Sequence, residues 1–331
     1  MNFLVTGCFG FIGFNFINKL LDERNTEIKI FGIDSLQNDC SIKNHELSKE
    51  YDNFNFFKDD INNINTLDIK NIDTIINFAA ESHVDNSIYN PGLFIDSNVK
   101  GVSELLKYAI KNNVNNFLHV STDEVYGSIE DGYFNEGDKL NPSSPYSASK
   151  ASAELIINSF NRTYGYDVVM VRPANNYGIF QQPEKLIPFS IAKLESGENV
   201  EIYGDGKNIR HWLHVDDTSE AILKILDSEI KTGIYNIGSD FYLSNIDLIK
   251  KLIEILNFDE EKISYVKDRP GHDFRYATDI QKLMDIGWKP KANFEEELEK
   301  TTNWYLNNKN WWESGYKSIL DFKREKRLGI V

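Results

Sequence analysis

Short apolar runs recur through the first half of the chain, at residues 2–6, 28–33, 53–58, 73–78, 116–121 and 168–171, and all but the fourth, which passes through Ala79-Ala80 to Glu81, end at once in glycine or polar side chains. Runs of this length bounded by turn residues read as buried strands. Between them the apolar spacing changes to that of helices. One helix follows Gly13 through Leu21, a second spans residues 97–111, and a third runs from Tyr146 through Leu155, Ile156 and Phe160 to Tyr164. Ser144 and Pro145 supply the third with a cap and a first turn. In the second, Val99, Val102, Leu105, Leu106 and Ala109 form an apolar stripe that predicts either core packing or a helix–helix interface. Strands alternating with helices imply an α/β fold, a doubly wound parallel sheet whose ligands lie outside the carboxyl ends of the strands.

The texture changes after Arg172-Pro173. Polar, turn-rich stretches around Asn175-Asn176-Tyr177-Gly178, Pro183-Glu184-Lys185-Leu186-Ile187-Pro188 and residues 203–210 separate short apolar segments, as in a lobe that closes over a ligand. A helix is expected from His214 to about Leu226. Residues 233–238 read as one more strand that returns to the sheet, ahead of a Trp-rich helical tail around Trp304, Trp311 and Trp312. The expected division is a sheet domain over residues 1–173, rejoined by 212–239, and a smaller lobe from 174–211 and 240–331. No internal repeat, long linker or low-complexity tract interrupts it.

The strand ends carry the candidate chemistry. The first strand runs into Gly7-Cys8-Phe9-Gly10-Phe11-Ile12-Gly13 and then a helix, an arrangement in which glycines let the backbone approach a phosphate and the helix N-terminus faces its charge. The second ends at Asp34, where a carboxylate can bind a ribose 2′-hydroxyl and repel a 2′-phosphate, so NAD is favoured over NADP. Asp60 and Ile61, after the third, can meet an adenine edge and face. Small residues Ala79 and Ala80 after the fourth let a flat cofactor lie close, ahead of His83, which reads as a hydrogen-bonded structural histidine. The fifth ends in Ser121-Thr122-Asp123-Glu124-Val125-Tyr126-Gly127, pointing a threonine and two adjacent carboxylates into the crevice. Tyr146 and Lys150 lie four residues apart at the start of a helix and emerge on one face. A cation beside a phenol lowers its pKa, which would make Tyr146 a base near neutral pH. A Tyr and a Lys at this spacing are also an ordinary surface pair; the glycine loop, Asp34 and the paired carboxylates give them catalytic meaning.

With 331 residues, 41% of them hydrophobic, the chain can bury a sizeable core as one large or two modest domains. Its net charge of −15 argues against nucleic acid or an anionic membrane as partner. A few cations and backbone N–H groups can still hold a pyrophosphate. No apolar run approaches a membrane span, and the first residues lack the basic region and cleavage site of a secretory signal. Cys8 and Cys40 are too few for a disulfide framework or a zinc cluster, and no His, Cys or carboxylate group has metal-ligand spacing. No metal and a cytoplasmic setting are therefore expected.

Gly7, Gly10, Gly13, Asp34, Ser121-Thr122 and Tyr146-x-x-x-Lys150 together resemble the extended short-chain dehydrogenase/reductases that act on nucleotide sugars. Longer strings resemble the dTDP-glucose 4,6-dehydratases among them: Ala79-Ala80-Glu81-Ser82-His83-Val84-Asp85, Ser121-Thr122-Asp123-Glu124-Val125-Tyr126-Gly127, Ser143-Ser144-Pro145-Tyr146-Ser147-Ala148-Ser149-Lys150-Ala151-Ser152, Asn175-Asn176-Tyr177-Gly178, Pro183-Glu184-Lys185-Leu186-Ile187-Pro188 and Arg269-Pro270-Gly271-His272. The Thr-Asp-Glu triplet is the most specific of these, because related epimerases and decarboxylases share the Tyr and Lys and generally lack the carboxylate pair.

The resemblance implies an NAD-binding Rossmann domain with a smaller C-terminal substrate-binding lobe. It implies that Tyr146 takes the C4 hydroxyl proton of a hexose as hydride passes to NAD, with Lys150 holding the ribose and Thr122 positioning the C4 oxygen. Glu124 then abstracts the C5 hydrogen, a protonated Asp123 releases the C6 hydroxyl as water, and hydride returns to C6. Phe11, Ile12, Asp34, Asp60, Ile61, Ser97 and Asn176 are implied as NAD contacts. Ser82, Asn175, Lys185, Leu186, Tyr203, Arg210, Asn245, Arg269 and His272 are implied as nucleotide-sugar contacts, with Arg210 forked on the pyrophosphate. A homodimer through the helices following Ser97 and Tyr146 is implied as well. Some positions depart from the pattern: Cys8-Phe9 replaces small residues of the glycine loop, Ser97 stands for Thr, Asn86 for Arg and His211 for Asp. Asn86 and His211 bear on which nucleotide and sugar are bound. The alternatives on the same fold are a UDP-glucose or UDP-GlcNAc 4,6-dehydratase and a nucleotide-sugar 4-epimerase. A non-catalytic sensor is the alternative from another class, and it has no need of Tyr146, Lys150, Asp123 and Glu124 together.

Overall fold

Each apolar run of the first half forms a strand: β1 (Asn2–Thr6), β2 (Lys29–Asp34), β3 (Phe54–Lys58), β4 (Thr74–Asn77), β5 (Asn116–Val120) and β6 (Val169–Pro173). The structure is a computed structural model that describes residues 1–24 and 27–327. Six further strands follow: β7 (Asn175–Tyr177), β8 (Val200–Tyr203), β9 (Ile209–His214), β10 (Gly233–Ile237), β11 (Tyr242–Ser244) and β12 (Ile263–Val266). The central sheet is parallel throughout and ordered β10-β6-β5-β4-β1-β2-β3. The order reverses between β1 and β4, and this switch point opens a crevice at the carboxyl ends of the strands. β10 is the strand expected to return, running in register with β6 from Gly233 opposite Val169 to Ile237 opposite Pro173. The helix before it, Val215–Leu226, buries Ala221, Ile222 and Ile225 in one cluster with Phe16, Ile17 and Leu20 of the Phe11–Arg24 helix. Lys19 and Glu220, 2.9 Å apart, bridge the two helices.

Alternation along the strands divides the core into two layers. Phe3, Val5, Leu118 and Val120 belong to one, and Leu4, Ile33, Ile75 and Phe117 to the other. Val102, Leu105, Leu106 and Ala109 are fully buried in the second layer, so the stripe on that helix is core. Each buried Leu or Val contributes about 1.5–3 kcal/mol. The sequence reads residues 97–111 as one helix. The structure opens it with a π turn, Asp96–Lys100, before the α-helix Gly101–Lys111. Gly101 lies so close to Ile61 that a Cβ there would stand 2.3 Å from the Ile61 side chain. Apolar spacing does not register one extra residue in a turn, and such turns gather at functional sites.

In the C-terminal part, helices Leu186–Glu195, Asn245–Ile255 and Phe294–Asn307 share a core with Trp212, Trp311 and Trp312. The stretches that read only as turn-rich contain short strands: β9 lies between β7 and β11, and β8 pairs with β12. All of these but β9 are three or four residues long, too short to show a period. The Trp311 indole N–H donates to Asn44 Oδ1 at 2.9 Å and ties the helix Lys309–Arg327 to the sheet domain. Among the described residues no helix is long and apolar enough to cross a membrane.

Candidate active site

A cleft of about 460 Å³ opens at the switch point. Its floor is the turn after β1. Gly7 has φ +63, and a Cβ on it would stand 2.6 Å from the Ala79 nitrogen; a Cβ on Gly13 would stand 2.3 Å from the Gly7 oxygen. Both positions therefore require glycine, and the helix beginning at Phe11 presents its N-terminus to the cleft. Asp34 ends β2 with both carboxylate oxygens engaged: Phe9 N–H donates to Oδ2 at 3.0 Å and Leu36 N–H to Oδ1 at 2.8 Å. Burial raises its pKa while these two donors hold it back. Asp60 accepts from Asn62 N–H and starts the short helix Ile61–Thr66. In the π turn, Asn98 accepts from Glu81 N–H at 2.8 Å and donates to Ser149 Oγ at 2.8 Å. That side chain holds the loop after β4, Ser97 and the Tyr146 helix around one space. Every residue expected to contact the cofactor, from Gly7 to Asn176, lines this one cleft. A glycine turn without room for a Cβ and an oriented carboxylate at the end of β2 fit the pyrophosphate and ribose of NAD.

The reacting groups come from two elements. Beyond β5, Thr122 Oγ1 accepts from Glu124 N–H at 3.3 Å and caps the turn Asp123–Tyr126. The helix Pro145–Tyr164 starts with a reciprocal cap, in which Ser147 N–H donates to Ser144 Oγ and Ser144 N–H to Ser147 Oγ, both at 3.1 Å. Losing such a cap costs about 1 kcal/mol. The cap places Tyr146 and Lys150 in the first turns, buried and lining the cleft.

Asp123 is only 2% exposed; its Oδ1 accepts from the Thr122 hydroxyl at 3.3 Å, and its Oδ2 is buried without a partner. Burial first, and the Glu124 charge second, push its carboxyl well above the usual range. Burial raises Glu124 as well, but Arg269, Arg210 and Lys185 pull it back. Adjacent carboxylates cannot both ionise freely, so the pair holds a proton that Asp123 keeps and Glu124, facing cations, gives up.

Lys150 donates to the Val120 carbonyl at 2.7 Å. Burial brings its pKa down to about 8, while Glu154 supports the charge. The expected lowering of the Tyr146 phenol by Lys150 does not occur. Burial, then the Glu124 charge, push the phenol up, and only the hydrogen bond with Thr122 opposes them. The Lys150 ammonium is spent on a backbone carbonyl, whereas two carboxylates bear on the ring. Tyr146 thus rests as a neutral phenol, which must release its proton before it can act as a base.

Ser82, Thr122, Asn175 and Lys185 line the same cleft, and Lys185 donates to the Ser82 carbonyl at 2.7 Å. Leu186, Tyr203, Arg210, Asn245, Arg269 and His272 lie outside its walls. Tyr203 and Arg269 both donate to Asp85, at 2.9 and 3.2 Å, and His272 pairs with Asp268 at 2.6 Å. Arg210 donates to the carbonyls of Ile209 at 2.9 Å and Asp273 at 3.1 Å and stacks over Tyr276 at 4.6 Å. Its fork therefore faces backbone. Arg269 keeps a buried Nε without a partner, and Asn175 and Asn245 each bury an unpartnered Oδ1. Buried polar atoms are rarely left unpaired in a finished interior, and these mark room for a polar ligand. Asn86 lines the cleft, whereas His211 is packed against Gly238 and stacked on Tyr242 at 4.4 Å. The sequence reading passed over Glu81, Gln181 and Glu184, which also line the cleft. Glu184 sits inside the Pro183–Pro188 string, where its neighbour Lys185 was the visible signal.

The family model for GDP-mannose 4,6 dehydratase matches residues 4–301. The chain is 42% identical to the low-salt glycan biosynthesis protein Agl12 of Haloferax volcanii, over 92% of this chain and 99% of that protein. It is 41% identical to a dTDP-glucose 4,6-dehydratase of Streptomyces antibioticus, over 95% of each. Among solved structures it is similar to DesIV, the dTDP-glucose 4,6-dehydratase of Streptomyces venezuelae with NAD and dTDP bound, with a TM-score of 0.91 and 39% identity over 95% of this chain and 100% of that one. On a glycine turn, a paired carboxylate turn and a match that spans sheet domain and lobe alike, the chain belongs to the GDP-mannose 4,6-dehydratase family, among the dTDP-glucose 4,6-dehydratases.

Proposed function

We propose that the chain is an NAD-dependent dTDP-glucose 4,6-dehydratase, a hydro-lyase that forms dTDP-4-keto-6-deoxyglucose in deoxysugar biosynthesis. What supports it most directly is Asp123 and Glu124 standing with Thr122 in the cleft that Tyr146 and Lys150 line. NAD, when bound, takes hydride from C4 of the sugar and returns it at C6. Thr122 and Tyr146 hold the C4 oxygen, and Tyr146, once its phenol has lost its own proton to solvent, accepts the C4 proton. Lys150 carries a positive charge near neutral pH and orients the ribose. A ketone at C4 acidifies the C5 hydrogen, which Glu124 removes; Asp123 gives its proton to the C6 hydroxyl, which leaves as water. Substrate and product differ by one water, and the cofactor ends as it began. An epimerase would use Tyr146 and Lys150 and leave the carboxylate pair without a task. Incubation with dTDP-glucose should give a product one water lighter by mass spectrometry, whereas a product of unchanged mass would mark a 4-epimerase.

Residues 1–173 with 212–239 hold NAD, and 174–211 with 240–331 hold the nucleotide sugar; residues 328–331 of the latter lie outside those described. Arg269, whose buried Nε lacks a partner, would take the pyrophosphate more readily than Arg210, which must first turn from the backbone. The two free, buried thiols Cys8 and Cys40 suit a reducing cytoplasm. A homodimer completes the proposal. Leu93 and Ile95 of the helix Pro91–Ile95 are 40% and 57% exposed and Leu155 of the helix Pro145–Tyr164 is 63% exposed, an apolar surface for a second copy. Sedimentation should show a dimer that Leu155→Glu weakens; a monomeric wild type at micromolar concentration would contradict it.

The raised carboxyls set the pH dependence. Glu124 acts ionised, so turnover falls as pH drops through its raised value, above the ordinary Glu range. Asp123 acts protonated, so turnover falls again as pH rises through its own, still higher value. The kcat profile should be bell-shaped, and the residual activity of Asp123→Asn should keep only the acid limb. A wild-type profile flat from pH 5 into the alkaline range would contradict the assignment of the two roles.

A further inference from the structure

Beneath the reacting groups lies a buried ion pair to which no role has been given. Glu154, fully buried, lies one turn beyond Lys150 on the same helix, and Arg172 at 2% exposure comes from β6. Arg172 Nε donates to Glu154 Oε1 at 3.0 Å, and its Nη2 donates to Glu154 Oε2. The pair does not close on itself. Ser121 Oγ donates to Glu154 Oε1 at 2.5 Å, and Arg172 Nη1 donates to the Tyr126 hydroxyl at 2.6 Å. Tyr126 in turn donates to Asn236 Oδ1 of β10 at 2.8 Å, with the Arg172 guanidinium 4.6 Å from the centre of its ring.

Ser121 immediately precedes Thr122-Asp123-Glu124, and Tyr126 closes the turn that follows. One ion pair therefore grips both ends of the segment that carries the elimination acid and base. A buried pair of this kind is a poor source of stability, since apolar residues of equal volume do as well or better, but it fixes geometry in two directions at once. We infer that Glu154 and Arg172, through Ser121 and Tyr126, are positioning residues for the elimination half of the reaction, holding Asp123 and Glu124 at C5 and C6 of the sugar. Glu154, Arg172 and Tyr126 line no part of the cleft, whereas Ser121 does, so Tyr126→Phe is a cleaner variant than Ser121→Ala. Tyr146 has its own hold in the Ser144–Ser147 cap, so the C4 oxidation, which shares only Thr122 with the gripped turn, depends on the grip less than the elimination does.

The inference rests on the proposed dehydratase reaction, and the test separates the two. Glu154→Gln leaves a buried guanidinium uncompensated and is at risk of not folding, so the informative variants are Ser121→Ala and Tyr126→Phe. Each removes one hydroxyl and leaves the ion pair in place. Misplacement of a reacting group by about 1 Å costs on the order of 100-fold, so kcat for dehydration should fall tenfold or more in each variant. Chemical quench and mass spectrometry should then reveal a dTDP-sugar lighter than dTDP-glucose by two hydrogens, oxidised at C4 but not dehydrated, which wild type does not accumulate. Its rate of formation in a single turnover should fall much less than the rate of water loss. Equal slowing of oxidation and dehydration, or full activity in both variants, would overturn the inference while leaving the dehydratase reading intact. A wild type that never dehydrates dTDP-glucose would instead overturn the reading on which it stands.

Discussion

Glu124→Gln should lower turnover of dTDP-glucose by about 10²–10⁴-fold, the usual worth of a positioned general base, while leaving C4 oxidation in place. Glutamine keeps the size of the side chain and its place in the turn capped by Thr122, but it cannot take a proton from C5. In deuterated solvent the variant should therefore not exchange the C5 hydrogen of the oxidised sugar. Asp123→Asn should behave differently, although it stands one residue away. It leaves the base intact, so C5 exchange persists, yet no proton is available for the C6 hydroxyl and water loss stalls. Isotope incorporation measured by mass spectrometry distinguishes the two variants. Exchange lost in Asp123→Asn and kept in Glu124→Gln would reverse the assignment made from burial and from the cations that face Glu124.

Tyr146→Phe should remove oxidation and elimination together, with kcat again reduced about 10²–10⁴-fold. Elimination fails because the C5 hydrogen is acidic only next to a ketone. The ring remains in its pocket, edge-on to Phe94 at a centroid distance of 6.3 Å, so the fold and the cleft persist. NAD content and dTDP affinity should stay at wild-type levels, which calorimetry with dTDP can verify. Because burial and Glu124 push the phenol up, the wild-type rate should show no titration of Tyr146 near neutrality. A variant that still forms the C4-oxidised sugar at the wild-type rate would show that another group takes the C4 proton.

The strand ends were legible in the sequence because each is local. Gly7 and Gly13 announce a backbone approach that no Cβ allows, and Asp34 is the last residue of β2, so spacing alone placed them. Thr122, Asp123 and Glu124 were legible for the same reason, as polar side chains that end an apolar run. What the sequence does not carry is the direction in which long side chains turn. Lys150 spends its charge on Val120 and Arg210 on the Asp273 carbonyl, choices set by partners distant in the chain. The grip of Glu154 and Arg172 on Ser121 and Tyr126 joins residues 18 to 46 positions apart and shows no pattern in one dimension. The π turn at Asp96–Lys100 was hidden because an inserted residue barely disturbs an apolar stripe.

The most direct measurement is mass spectrometry of the reaction of the purified protein with dTDP-glucose, UDP-glucose and UDP-GlcNAc in parallel, without added NAD. The expected result is a product one water lighter from dTDP-glucose alone, formed by NAD that purifies with the protein. No loss of water from any donor, even after NAD is supplied, would contradict the assignment of Asp123 and Glu124 as an elimination pair.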